Sequence, residues 1–197
     1  MAMPSSTFLQ MRRPLTISAL GTLLVVLAAT NAVANITPAS QWAPKFCAAL
    51  STFEQHLTGD GKKAEAVLSG NITSLAAAKA TLTDFMGKAV NDADTAISAV
   101  THAGSPNAPN GSKITATFVK GLHNARDLFA SARTNAQHLP TKTLSAFESS
   151  TKKITSDLNQ GSKGIVASFN NAQALDTSGK VGAAVRAEPT CAFLKNA

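Results

Sequence analysis

Apolar residues in this chain recur three and four positions apart over most of its length, a spacing that lines one face of a helix, whereas strands alternate every second residue. From Lys62 to His102 the inward series is Leu68, Ile72, Leu75, Ala78, Leu82, Phe85, Ala89, Ala93, Ala96 and Val100. From Lys113 to Leu139 it is Ile114, Phe118, Leu122, Ala125, Phe129, Ala132, Ala136 and Leu139, and Pro140 ends it. From Thr141 to Leu175 it is Leu144, Phe147, Thr151, Ile154, Leu158, Gly161, Ile165, Ser168 or Phe169, and Ala172. A shorter first helix is expected from about Ala43 to Leu57, with Pro44 in its opening turn and Trp42, Phe46, Leu50, Phe53 and Leu57 on one face. The expected class is therefore all-α, an up-and-down four-helix-type bundle, since near-regular steps of three and four favour shallow crossings.

Thr58-Gly-Asp-Gly61 is expected to break the first helix, and Gly70 to kink the second. On that division the second and fourth helices reach roughly 50 to 60 Å and the first only about 22 Å, which leaves a gap in one column. A short helix from Lys180 to Arg186 follows the fourth, and the tail that contains it must return to bring Cys191 near Cys47. The expectation is that the tail descends into the gap. The alternative is a sharp break at Gly70, which shortens the bundle and lays the tail across its top.

Residues 11–34, MRRPLTISALGTLLVVLAATNAVA, read as a secretory signal peptide: Arg12 and Arg13, an apolar run from Leu15 to Ala29, and the small-residue site Ala32-Val33-Ala34. Fifteen apolar residues fall short of the roughly 20 that span a bilayer as a helix, so membrane contact is expected only before cleavage. The run suits Sec export better than the twin-arginine route, and Met11 is an alternative start to Met1 or Met3. Residues 35–197 then form one domain with 16 basic and 11 acidic residues, a net charge of +5. That length buries about 70% of its unfolded surface, so one disulfide is reinforcement and not a framework. Cys47 and Cys191 are expected to form it, because neither has the CxxC partner or basic neighbour that thiol chemistry needs. The protein is thus expected outside the cell or in its envelope, and as a monomer.

Chemistry-bearing patterns are sparse. No pair among His56, His102, His123 and His138 has the i, i+4 spacing that presents two imidazoles to a metal. His56 and His102 read as helix-end residues, where a cationic imidazole meets the negative end of the dipole. The chain has no tyrosine and no Met-His pair, so a haem would rest on one histidine, and no cofactor is expected. No GxSxG or HExxH occurs in residues 35–197, and Asp92 and Asp94, two apart, point to different faces. Asp84 with Lys88 reads as a solvated ion pair. An enzyme is not expected. Lysines and arginines spread over every helix without a stripe, and the aromatics fall at core positions, which argues against nucleic acid. The mild cationic excess still allows salt-screened attraction to anionic surface polymers.

Helical glycines Gly87, Gly121, Gly161 and Gly164 each cost about 1 kcal/mol against alanine. Close helix packing is the plain explanation. A pocket beside Gly87 and Gly161, faced by His123, is the other, and would make the protein a carrier of a small apolar ligand. The long loop Ala103–Ser112 is the expected partner contact, through Gly104, Ser105, Pro106, Asn107, Pro109 and Asn110, since loops on rigid scaffolds often carry recognition. Asn35-Ile-Thr37, Asn71-Ile-Thr73 and Asn110-Gly-Ser112 match the glycan-acceptor pattern, and the last reads better as turn and N-cap chemistry.

Phe46-Cys-Ala-Ala-Leu50, Gly104-Ser-Pro106 with Pro109-Asn-Gly111, and Pro189-Thr-Cys191 give the chain a pattern that resembles small secreted proteins and lipoproteins of actinobacteria with no assigned activity. The lipid-attachment cysteine frequent among them is missing. The resemblance implies a disulfide-closed helical bundle and supplies no catalytic residues. The expected role is non-enzymatic binding of an unknown protein or a cell-envelope component.

Overall fold

The computed structural model describes residues 36–69 and 74–195. The signal segment, Gly70 and the Asn71–Thr73 string lie outside them. The elements are β1 (Ile36–Thr37), α1 (Ala39–Ser69), α2 (Leu75–Ala103), β2 (Ser105–Pro106), α3 (Gly111–Gln137), α4 (Leu144–Leu175), α5 (Lys180–Ala187) and a terminal 3-10 helix (Pro189–Lys195). The all-α class holds, and α3, α4 and α5 fall close to their expected bounds.

The helices run up and down. Trp42, near the start of α1, donates its Nε1–H to the carbonyl of Gly104 at the end of α2, 3.0 Å away. Phe46 of α1 meets Phe118, early in α3, at 4.6 Å between ring centroids, and Phe118 meets Phe169, late in α4, at 5.1 Å. Ser74 caps α2 by accepting from the Ala77 N–H, and Thr143 caps α4 by accepting from the Ala146 N–H.

The division between the first two helices differs from expectation. α1 continues through Thr58–Gly61 to Ser69, and α2 begins at Leu75. Two glycines tax the helix by about 1 kcal/mol each, but the packing of α1 on α2 outweighs that cost. Gly61 lies against the ring of Phe85, Ala64 is buried, and Leu68 joins the apolar cluster of α2 to α4. With 31, 29, 27 and 32 residues the four long helices reach about 40 to 48 Å. No column is short, so there is no gap for the tail to fill. The break falls between Ser69 and Leu75, as the alternative required.

Instead, α5 and the 3-10 helix pack against α1 near its beginning. There Val181, Ala184, Val185, Phe193 and Leu194 join a core of Trp42, Phe46, Leu50, Val100, Ile114, Phe118, Leu122 and Ala172. The Cys47–Cys191 disulfide sits inside this core, both residues buried. A second cluster, built from Ala78, Met86, Ala132, Ala136, Leu139, Phe147 and Ile154, fills the other half. Leu144, placed in the inward series by its spacing, is 60% exposed, because it is the first residue of α4 and precedes the first helical turn that reaches the core.

Candidate functional site

The loop after α2 is built into the fold at one side and free at the other. Ser105 and Pro106 pair in parallel with Ile36 and Thr37, and the Asn107 N–H donates to the Thr37 carbonyl at 2.7 Å. The Gly104 carbonyl accepts from Trp42 and from the Thr115 hydroxyl, 3.1 Å away. Gly111, which opens α3, comes so close to the Pro106 carbonyl that an added Cβ would lie 1.9 Å from its oxygen. Only a residue without a side chain fits there. Asn110 adopts the left-handed conformation at φ 60° and makes no side-chain cap; its Nδ2 donates to the Leu175 carbonyl at the end of α4.

The six residues expected to make the contact are divided by the fold. Ser105 and Pro106 are buried and Gly104 is half-buried, since this stretch carries the β1–β2 pairing and the Trp42 hydrogen bond. Asn107, Pro109 and Asn110 are exposed, and Ile36, 64% exposed, joins Asn107 and Asn110 around a surface hollow of about 310 Å³. Ile36 has no signal of its own in the sequence, because a two-residue pairing leaves no periodicity to read.

The second candidate group does not converge. Gly161 is filled by Leu128, whose two δ carbons would lie 2.6 Å from an added Cβ. Gly121 faces Ser168, with an added Cβ 3.0 Å from the Ser168 Cβ. Both glycines thus serve the close approach of α3 and α4. His123 is exposed, and Gly87 lies under the side chain of Arg133. Residues 123, 128 and 133 spread over about 15 Å of α3, so Gly87, Gly161 and His123 share no pocket. His56 also moves from its expected helix end: α1 continues past it, and its Nδ1 stands 2.9 Å from Asp92 Oδ1 of α2.

Grooves run between the helices, among them two that are larger than the loop hollow and lined by charged residues. One, between α1 and α2, holds about 460 Å³ above Ala49, Phe53, Ala96 and Ala99, with Lys45, His56, Asp92 and His102 at its rim. The other, about 710 Å³ between α2 and α3, is lined by Lys79, Asp84, Lys88 and Arg133 among smaller residues. Here the hydrogen bond and charge of Asp84 raise Lys88 above the ordinary lysine value. Beside it, Lys63 holds the Asp60 carboxyl below the ordinary carboxylate value. No group of three or more His, Cys, Asp or Glu is placed to hold a metal among the described residues. None of their helices is long and apolar enough to cross a membrane. Compared with protein-family models, characterised proteins and solved structures, the chain matches none of them.

Proposed function

We propose that this is an exported, non-enzymatic binding protein of the cell envelope or the extracellular space, acting through the tip of the loop between α2 and α3. One observation carries the reading: Asn107, Pro109 and Asn110 stand exposed, the two asparagines around one hollow with Ile36, while the residues behind them are fixed by pairing, by Trp42 and by Gly111. A tip held this rigidly loses little conformational freedom on binding, which is what makes a loop a good recognition element. The buried disulfide is consistent with an oxidising, extracellular setting. The segment 11–34 and the resemblance to actinobacterial secreted proteins support export, with residues 35–197 as the mature domain. The test is binding of purified residues 35–197 to envelope preparations of the source cell, against a variant carrying Ile36→Asn, Asn107→Ala and Pro109→Ser. The variant is expected to keep its helical content and lose binding at least tenfold. Equal binding by both proteins removes the loop from the function. Export is tested by the mass of the protein recovered from culture medium, expected to begin at Asn35.

A second reading, a carrier of a small apolar ligand, is favoured by the α1–α2 groove alone, whose alanine and phenylalanine floor and size fall in the range of small-molecule sites. Native mass spectrometry of protein purified from its source tests it, by a retained small molecule.

A further inference from the structure

The groove between α2 and α3 holds positive charge that the protein itself does not neutralise. Lys79 is half-buried, whereas the other lysines with described side chains are exposed. Among the described residues Lys79 has no ion pair, and neither has Arg133 across the groove. The third cation, Lys88, is matched by Asp84 at 2.9 Å. The two unmatched cations leave the groove with a net charge of +2.

Two further features point the same way. The Thr83 hydroxyl, on the groove wall one turn beyond Lys79, is buried without a hydrogen-bond partner, alone in this among the described side chains. Other helical threonines, such as Thr95 and Thr117, satisfy theirs by donating to the carbonyl four residues back. Over Gly87 lies the Arg133 guanidinium, its Nε and Cζ 3.4 and 3.5 Å from where a Cβ would stand. A planar fork and a point charge, with a hydroxyl donor and the amides of Asn91 and Gln137 in the same groove, form the donor set that recognises an oxyanion.

We propose that this groove is a binding site for a phosphate monoester. Charge selects the class: a phosphoryl group carries about −1.5 to −2 near pH 7, which balances Lys79 and Arg133, whereas a carboxylate balances one of them. Size selects the ester, since about 710 Å³ is far more than a free phosphate fills and leaves room for a sugar-sized body. The site is independent of the loop tip, and the failure of either assignment leaves the other standing.

The probes are inorganic phosphate, a hexose monophosphate and acetate, titrated into residues 35–197 at low ionic strength with amide chemical shifts as the readout. Phosphate is expected to shift residues 79–91 and 133–141 saturably, with a Kd on the order of 1 mM. The hexose monophosphate is expected to bind more tightly, and acetate at least about tenfold more weakly, the worth of one charged hydrogen bond. Arg133→Gln and Lys79→Gln should each weaken phosphate binding about tenfold, while Lys120→Gln, on an exposed part of α3, leaves it unchanged. Thr83→Val separates ligand binding from folding: it should raise the melting temperature by removing an unsatisfied hydroxyl and still weaken phosphate binding. Uniform, unsaturable shifts, equal binding of acetate, or full affinity in the Arg133→Gln, Lys79→Gln double variant would overturn the assignment. A hexose monophosphate that binds no better than inorganic phosphate overturns the ester.

Discussion

Single residues in this protein are decided by what stands within 4 Å of them, and glycine shows this most plainly. Gly111 and Gly164 are both glycines of helices, yet an alanine meets the Pro106 carbonyl at 1.9 Å at the first and nothing within 4 Å at the second. Gly111→Ala is expected to destabilise by about 3 kcal/mol or more, because the clash is with backbone that cannot rotate away. Gly164→Ala should stabilise by about 0.5 to 1 kcal/mol through helix propensity and the lower entropy of the unfolded chain. Urea unfolding of both variants checks the pair, and similar shifts in one direction would contradict the geometry. The periodicity placed Gly161 in the core series but did not distinguish contact from cavity. Leu128 decides that, and its position follows from the pairing of α3 with α4.

At the scale of the element, helix ends follow local chemistry and helix continuity does not. Ser74 accepts from the Ala77 N–H in the pattern expected of an N-cap. Ser74→Ala is therefore expected to lower stability by about 1 kcal/mol, seen as a fall in the urea midpoint with unchanged slope. Thr58-Gly-Asp-Gly61 has the composition of a turn and is helix all the same. Its Asp60 bonds Lys63 at 2.8 Å one turn on, and Gly61 leaves room for Phe85. A depressed carboxylate stabilises the fold above the ordinary aspartate value of 3.8, and that contribution fades as pH falls through the lowered folded value. Exposed as it is, the Asp60–Lys63 pair contributes little and is screened by salt. Asp60→Asn should thus lose a small increment of thermal stability at neutral pH, and the difference from wild type should vanish as pH falls through the lowered folded value of Asp60.

The described residues form two apolar clusters in series along four long helices, with the tail stapled over one of them. The bond joins residues 144 apart in sequence, for which the chain-entropy estimate is about 5 kcal/mol. Replacing Cys47 and Cys191 together by serine is expected to cost about 2 to 5 kcal/mol, since native packing of the tail recovers part of the estimate. Hydrogen exchange should then show α5 and the 3-10 helix opening before α2 and α3, because without the bond only Val181, Ala184, Val185, Phe193 and Leu194 hold them to the core. Protection of the tail equal to that of α3 would mean that packing and not the bond secures it.

Apolar spacing by itself determined that the chain is helical, where α3 and α4 run, and that two cysteines remain for one bond. These follow from interactions within a turn or two of helix and from simple counting, so they are written locally. Tertiary structure decided the rest. α1 passes through two glycines because Phe85 and the face of α2 wait beside it, and Ser105 with Pro106 is buried because Ile36 and Thr37, some 70 residues earlier, pair with them. Lys79 and Arg133 meet in one groove only once α2 lies against α3. Each of these is a balance between a local preference of about 1 kcal/mol and a distant packing partner, and a sequence lists the first of those quantities without locating the second.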